Sequence, residues 1–207
     1  MTGVVHPLKL ASLLLQYPDG DLLHARGELA AAAEGLGPGP QADAIRAFTR
    51  WATGIEPAEL QARYVETFDF SRRASLYLTY HTLGDRRQRG MALLALKQRY
   101  AAAGLDPAQS TGELPDYLPM LLEFAALEPE PGLAALARHR EALELLRAAL
   151  HAEDSPWAPL LDAVVLPLPG LTRDQLTRIR ELAAAGPPEE EVGLEPFAPP
   201  ATMPGVG

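Results

Sequence analysis

The chain has 207 residues, 47% of them hydrophobic, which is enough to bury the core of one domain. It contains no cysteine, so disulfides, thiolate nucleophiles, iron–sulfur clusters and zinc–thiolate sites are excluded. A formal net charge of -9 argues against general affinity for nucleic acid or for anionic membranes. Ala, Leu, Glu and Arg dominate over the β-branched residues, which favours helices over strands.

The N-terminal segment carries no targeting signal that we can identify. No stretch approaches the roughly 20 consecutive apolar residues that a membrane-spanning helix needs. The opening sequence, MTGVVHPLKLASLLLQYPD, lacks both the basic segment and the cleavage site of a secretory signal. We therefore expect a cytoplasmic protein without stable membrane insertion.

In the first third of the chain, apolar side chains recur at the 3.6-residue spacing of helices. Leu60, Tyr64 and Phe68, for example, stand four residues apart behind Pro57, a residue favoured in the first helical turn. The predicted helices cover about 7–17, 21–33, 41–52 and 57–70.

The middle of the chain is less uniform. Residues 75–83, SLYLTYHTL, are rich enough in Tyr and Thr for a strand, but we predict a helix because nothing nearby offers a strand partner. Asp85 and Gln88 form a candidate capping box for a long helix that reaches Ala103, with Gly104 as its stop.

Three further helices are predicted over about 132–151, 156–166 and 173–185. Residues 186–207 contain six prolines and four acids, without a basic residue or a periodic apolar face, and we expect them to be disordered. The predicted architecture is all-α: a single-domain helical bundle over residues 1–185, followed by a flexible tail.

The stretch ELPDYLP (113–119) places two carboxylates in front of an apolar run. Proline is tolerated in the first turn of a helix, so Pro119 predicts a helix start at about Pro115 or Asp116, with Asp116 at the N-cap and Glu113 just outside. The helix dipole favours charged carboxylates there, whereas a general acid must hold its proton. A capped core helix explains both acids, and we predict no catalytic residue.

The five histidines do not form a metal-binding pattern. No two of them stand three or four residues apart, so the sequence predicts no metal site. We expect His81 to be a partly buried structural residue, and His139 and His151 to be solvated.

A basic block interrupts the acidic chain. Residues 63–99 hold eight of the 18 basic residues and only three acids. Arg86, Arg87 and Arg89 fall in a predicted first helical turn, where cations are disfavoured. They indicate a docking face for an acidic partner or a phosphate-bearing cofactor; the alternative is pairing with surface acids, worth about 0–1 kcal/mol per pair.

Three motifs together resemble one protein family. They are YVETFD (64–69), HTLGDRRQRGMA (81–92) and ELPDYLPMLLEF (113–124), with LASLLLQYPD as a fitting opening helix. The chain resembles the nitrate reductase assembly chaperones of the NarJ type, within the wider class that includes TorD and DmsD. The similarity is strong from Tyr64 to Leu127 and fades after about residue 130.

The resemblance implies an all-helical protein without catalytic activity. Such a protein would bind the apo catalytic (alpha) subunit of nitrate reductase, notably its N-terminal segment. It would promote insertion of the molybdenum bis-guanine-dinucleotide cofactor without binding that cofactor stably, and cofactor-delivery proteins would be further partners. The open alternatives are a chaperone for a sulfoxide or amine-oxide reductase, and a small all-helical hydrolase.

In the wider class, an E-x-P-D-H signature is tied to leader-peptide binding. Glu113, Pro115 and Asp116 match it here, and Tyr117 stands in place of the histidine. The residues expected to line or support a peptide site are Tyr64, Phe68, Asp69, Tyr77, Glu113, Pro115, Asp116 and Tyr117. Arg86, Arg87 and Arg89 are expected to contact the apoenzyme or the phosphates of the cofactor.

Overall fold

The computed structural model describes residues 6–83, 87–105 and 112–186. All regular elements within these ranges are helical, which confirms the all-α prediction. The helices are α1 (Pro7–Leu14), α2 (Gly20–Glu34), α3 (Pro40–Gly54), α4 (Pro57–Phe68), a 3₁₀ turn (Arg72–Ala74), α5 (Leu78–Leu83), α6 (Arg87–Ala102), α7 (Leu118–Leu127), α8 (Pro129–Arg138), α9 (Arg140–Ala152), α10 (Ala158–Val165) and α11 (Arg173–Ala185).

The first four helices begin where local chemistry predicts. Pro7, Pro40 and Pro57 each occupy a first-turn position, where a missing backbone N–H costs nothing. The Asp19 carboxylate caps α2 by accepting from the Leu22 N–H at 3.0 Å. These local signals explain why the predicted and observed helices agree in this region.

Helix α7 lies at the centre of the fold. Its sequence, LPMLLEFAAL, is apolar on nearly every face, and Leu118, Leu121 and Leu122 are completely buried. Helix α1 packs on one side of it, where the Ser12 hydroxyl donates to the Pro119 carbonyl at 2.8 Å. Helix α8 packs on another side, so α7 depends on tertiary contacts around most of its surface.

A cluster of aromatic side chains joins α3, α4 and the residue that precedes α10. Trp157 is 1% exposed, and its ring centroid lies 5.3–5.9 Å from those of Phe48, Trp51, Tyr64 and Phe68. Three of these four contacts are edge-to-face, a favourable geometry for aromatic pairs. The cluster fixes Tyr64 and Phe68 as parts of the core.

The predicted helix over 132–151 is wrong in one respect, because the structure divides it at His139 into α8 and α9. His139 is also half-buried, and burial lowers its pKa, so the expectation of a solvated histidine is wrong there. His151 is exposed and lies 3.0 Å from the Asp162 carboxylate.

The prediction of a helix over 75–83 is also wrong in part. The helix begins only at Leu78, and Tyr77 forms an antiparallel β-bridge with Tyr117. The partner comes from a segment 40 residues later in the sequence, which local reasoning could not supply. The proposed Asp85 cap and the tail beyond Gly186 lie outside the described residues.

Gly132 permits a close approach of α7 and α8. A Cβ added to Gly132 would lie 2.3 Å from the Ala125 Cα, a backbone atom that cannot move aside alone. We expect Gly132→Ala to reduce the free energy of unfolding by about 3 kcal/mol, the upper end for overpacking. Gly27→Ala, in exposed α2 with no atom within 4 Å, should raise it by about 0.5–1 kcal/mol. Urea denaturation measures both, and equal effects would contradict the packing argument.

His81 gives stability a defined pH dependence. Its side chain is 6% exposed, one ring nitrogen lies 2.8 Å from the Ser75 carbonyl, and burial lowers its pKa below the usual 6.5. The unfolded chain therefore takes up a proton more readily than the folded chain as the pH falls through 6.5. Because of this difference, the free energy of unfolding decreases as the pH falls.

We expect His81→Gln, which can still donate to Ser75, to lose less stability than the wild type between about pH 7 and pH 5. Urea titrations at the two pH values measure the difference. His24→Gln, an exposed histidine on α2, is the matched control and should behave as the wild type does. An unchanged pH dependence in His81→Gln would contradict a neutral buried imidazole.

Candidate functional site

The segment 112–117 is held against the start of α5 by backbone pairing. Tyr77 and Tyr117 form the β-bridge. The Leu118 N–H donates to the Leu76 carbonyl at 2.8 Å, and the Leu78 N–H donates to the Asp116 carbonyl at 3.1 Å. These bonds join the third sequence motif to residues 76–78 and fix the segment's position on the protein.

Asp116 does not cap α7, which corrects the predicted N-cap. The N-cap residue is Tyr117, and α7 begins at Leu118. The reason is that the first turn of α7 has no donor left for a carboxylate. The Leu118 N–H bonds to Leu76, Pro119 has no N–H, and the Met120 N–H bonds to the Tyr117 carbonyl.

The Asp116 carboxylate instead binds the first turn of α5. It is 0% exposed, and its Oδ2 accepts from the Thr79 N–H at 3.0 Å and from the Thr79 hydroxyl at 2.5 Å. Asp116 therefore caps a helix that is distant in sequence. Because it is inaccessible, it supports the surface segment and cannot contact a partner directly.

The basic motif adds a third residue to the Asp116–Thr79 hydrogen bonds. Arg89 Nε donates to the Thr79 hydroxyl oxygen at 3.1 Å, so Arg89, Thr79 and Asp116 form a hydrogen-bonded chain. Arg89 is half-buried, whereas Arg87 is exposed on the first turn of α6. Arg86 lies outside the described residues. The three predicted arginines are therefore not one uniform exposed face.

Tyr77, Tyr117 and Glu113 form a half-buried group next to the Asp116–Thr79 hydrogen bonds. The tyrosine rings lie 5.3 Å apart, and the Tyr77 hydroxyl donates to the Glu113 carboxylate at 2.5 Å. Burial, and then the bond to Glu113, raise the pKa of Tyr77, and burial raises that of Tyr117. Both phenols stay protonated near neutral pH and serve as hydrogen-bond donors.

Tyr64, Phe68 and Asp69 lie behind this group. Tyr64 is 5% exposed and its hydroxyl donates to the Leu15 carbonyl at 3.1 Å. Burial raises the pKa of Tyr64 most, and the nearby Tyr117 and Asp69 raise it further. Tyr64 and Phe68 therefore support the site from the core. Asp69, the C-cap residue of α4, lies near Tyr64 and Tyr117.

A groove runs between the α1–α2 turn and α7, beside the Tyr77–Glu113 group. Its lining combines three carboxylates, two tyrosines and apolar atoms. Pro115, a predicted site residue, does not line the groove, and its carbonyl accepts a hydrogen bond from the Tyr100 hydroxyl at 3.2 Å. The lining residues are Gln16, Tyr17, Asp19, Glu113, Tyr117, Pro119, Met120 and Glu123.

Most residues of this groove were not predicted from the sequence. Glu113 and Tyr117 were, but Tyr17, Asp19 and Met120 were not. Tyr17 and Asp19 stand in the LLLQYPD segment that supported the family resemblance, and this was the one available signal. Tyr17 is 44% exposed, and its ring contacts that of Tyr64 edge-to-face at 5.5 Å.

The groove has a net negative charge. Lys9 pairs with Glu123 on one side, and Asp19 and Glu113 add two further carboxylates to the lining. The groove can bind a positively charged, partly apolar ligand. In the described ranges, no group of three or more His, Asp or Glu could hold a metal ion. No described helix has the length and apolar character to cross a membrane.

Comparison with known proteins gives the family. The model of the nitrate reductase delta subunit family matches residues 38–163, well over half of the chain. The chain belongs to this family. The resemblance read from the three motifs is therefore confirmed.

Two curated family relatives and one solved structure show the range of similarity. The nitrate reductase-like protein NarX of Mycobacterium tuberculosis is 40% identical over 155 residues, which are 74% of this chain but only 23% of NarX. The nitrate reductase molybdenum cofactor assembly chaperone NarJ of Escherichia coli is 37% identical over 161 residues, 76% of this chain and 67% of NarJ.

The solved structure is that of a redox enzyme maturation protein from Archaeoglobus fulgidus. It is 26% identical and superimposes with a TM-score of 0.56 over 75% of this chain and 88% of that one. This similarity agrees with membership of the delta subunit family and with the helical architecture. The chain thus spans most of the structural relative but about a quarter of NarX.

Substitutions of the two carboxylates Asp116 and Glu113 should affect stability differently, because only Asp116 is buried and bound to Thr79. Asp116→Ala leaves the buried Thr79 N–H and hydroxyl without their acceptor, at about 1–3 kcal/mol per group, so we expect a loss of at least about 2 kcal/mol in unfolding free energy. Glu113→Ala, at the half-exposed rim, should cost less than about 1 kcal/mol. Chemical denaturation compares them, and a larger loss in Glu113→Ala would contradict the assignment.

Proposed function

We propose that this protein is an assembly chaperone that binds the N-terminal segment of an apo nitrate reductase catalytic subunit in the groove between the α1–α2 turn and α7. Two observations support the proposal. The relative from E. coli carries the name of a nitrate reductase molybdenum cofactor assembly chaperone. The groove itself combines negative charge with apolar surface.

The groove is suited to an amphipathic, basic peptide. Asp19, Glu113 and Glu123 offer carboxylates to lysine, arginine or amide groups of the peptide, while Met120 and Pro119 offer apolar contact. Peptides that bind helical proteins commonly place one apolar face in such a groove. The net charge of -9 would also speed the encounter with a positively charged segment.

The support beneath the groove reduces the cost of binding. The β-bridge, the Asp116–Thr79 tie and the Tyr77–Glu113 bond hold Glu113 and Tyr117 in place before any partner arrives. A preformed site loses less conformational entropy on binding than a flexible one. Phenol donors at Tyr117 can also replace the hydrogen bonds that the histidine of the wider class would make.

The protein would act on the cofactor step through its partner. Binding the catalytic subunit before the molybdenum cofactor enters would keep that subunit receptive and would not require this chain to hold the cofactor. Arg87 is exposed and remains our candidate for a contact with the apoenzyme or with the cofactor phosphates. Arg89 is assigned a supporting role through Thr79.

Peptide titration tests the groove. We expect a triple variant, Asp19→Asn, Glu113→Gln and Glu123→Gln, to bind a synthetic N-terminal peptide of the catalytic subunit about tenfold more weakly, which is about 1.4 kcal/mol. Asparagine retains the N-cap of α2, so the fold should persist. Isothermal calorimetry measures the affinity, and the difference should shrink at about 1 M salt, where charges are screened beyond ~3 Å.

A matched control separates the groove from net charge. Glu28→Gln, Glu130→Gln and Glu181→Gln change the charge by the same amount at exposed positions away from the groove. This variant should bind the peptide nearly as the wild type does. Equal weakening of both triple variants would reduce the effect to long-range attraction, and no weakening in either would remove the groove from the binding site.

A peptide from another molybdoenzyme distinguishes the remaining alternative. If the N-terminal segment of a sulfoxide or amine-oxide reductase bound more tightly than that of nitrate reductase, the client would be a different enzyme. The groove variants would then be expected to weaken that peptide instead.

A further inference from the structure

Helix α6 is apolar on the side that faces away from the core as well as on its inner side. On the inner side Leu96 and Tyr100 are buried, and the ring centroid of Tyr100 lies 4.8 Å from that of Phe124 on α7. On the outer side Met91 is 67% exposed and Leu94 is 48% exposed. Because an α-helix turns once in 3.6 residues, this second apolar row lies opposite the buried one. A surface helix normally carries polar residues on that side.

The outer side of α6 also carries positive charge. The helix contains four basic residues and no acid, although the whole chain has a net charge of -9. Arg87 and Lys97 are exposed, and within the described ranges neither of them forms an ion pair. Arg87 stands in the first turn, where the helix dipole disfavours a cation. The stability of α6 therefore does not explain the charge on its surface.

Gly90 leaves space for a close neighbour beside Met91 and Leu94. It is exposed, and a Cβ built on it would meet no atom within 4 Å. Glycine is less favourable than alanine inside a helix, because it loses more backbone entropy on folding. No contact within the described part of the chain requires a glycine at this position. A second helix that packs on the exposed row would approach α6 most closely there.

We propose that Arg87, Gly90, Met91, Leu94 and Lys97 form a docking surface for an acidic amphipathic helix of a partner protein. Such a helix places its apolar row along an exposed apolar surface. Its glutamates or aspartates would meet Arg87 and Lys97, which lie ten residues apart, or about 15 Å along α6. The inference adds an apolar row and a partner chemistry to the contact suggested above for Arg87, and it does not depend on the peptide groove.

Charge favours this partner over two other occupants of the same surface. Pairing of α6 with α6 of a second copy would bring cations against cations, which is unfavourable. An anionic membrane would attract α6 but would repel the rest of the chain, which carries the excess of acids. A basic peptide of the kind proposed for the groove would be repelled by α6. An acidic helix satisfies both the charge and the apolar row.

Two synthetic peptides test the chemistry of the partner. Both have about 16 residues, the length of α6, with leucine at helical spacing; one carries glutamate on its flanks and the other carries lysine. Methionine-methyl NMR of the full chain follows Met91 on α6 and Met120 in the groove. We expect the glutamate peptide to shift the Met91 signal with saturation and to leave Met120 in place. The lysine peptide should leave Met91 in place.

Charge reversal on α6 tests the role of the two cations. Arg87→Glu combined with Lys97→Glu should weaken binding of the glutamate peptide about tenfold and allow the lysine peptide to shift Met91. The matched control is Arg173→Glu combined with Arg180→Glu, two exposed cations of α11, which changes the net charge equally. This control should bind the glutamate peptide nearly as the wild type does. Isothermal calorimetry measures the affinities.

A polar substitution tests the apolar row separately. Leu94→Ser should weaken binding of the glutamate peptide about tenfold, because it removes apolar surface that the complex would bury. Leu176→Ser is the control, since Leu176 is 39% exposed on α11, and it should leave the affinity unchanged. Far-ultraviolet circular dichroism verifies that each variant is folded.

Four results would overturn the proposal. Two are a Met91 signal that does not respond to the glutamate peptide, and equal weakening by the α6 and α11 charge reversals. The third is a Met91 shift that follows protein concentration alone, which would make the surface an interface between copies of this chain. The fourth is a Met91 signal that responds to phosphatidylglycerol vesicles and not to the glutamate peptide, which would make it a membrane contact.

Discussion

The candidate site depends on the hydrogen bonds of one buried carboxylate, that of Asp116. It accepts from the backbone and the hydroxyl of Thr79 and thereby joins the segment before α7 to the first turn of α5. Arg89 extends the chain of hydrogen bonds to α6. The motifs ELPDYLPMLLEF and HTLGDRRQRGMA are thus connected through Thr79 and through Asp116, a residue that no partner can touch.

This arrangement would let the segment 113–117 take part in the proposed peptide binding although Pro115 and Asp116 are buried. The buried acid, the β-bridge and the aromatic packing determine where Glu113 and Tyr117 stand. Glu113 and Tyr117 in turn line a groove with residues of the α1–α2 turn and α7. The buried hydrogen bonds of Asp116 and the surface carboxylate of Glu113 have separate roles. Variants of Asp116 therefore test folding, and variants of Glu113 test the proposed recognition.

Local signals in the sequence predicted the helices but not their long-range contacts. Prolines at first-turn positions and the apolar spacing located α1 to α4 and α11. Pro119 located α7 to within a few residues, yet the donor that Asp116 binds belongs to Thr79, which only the tertiary fold brings near. No glycine or proline next to His139 indicates that the helix divides there into α8 and α9. Tyr17, Asp19 and Met120 meet because α1 packs on α7, and helical spacing within one segment contains no such information.

The central claim is that a client peptide occupies the groove beside Tyr117 and Met120. The most direct measurement is methionine-methyl NMR of the intact protein during titration with the N-terminal peptide of the catalytic subunit. Met120 lines the groove, and Met91, 67% exposed on α6, is an internal control. The account predicts that the Met120 signal shifts with saturation while that of Met91 stays in place. A saturating shift of Met91 with an unmoved Met120 would contradict it.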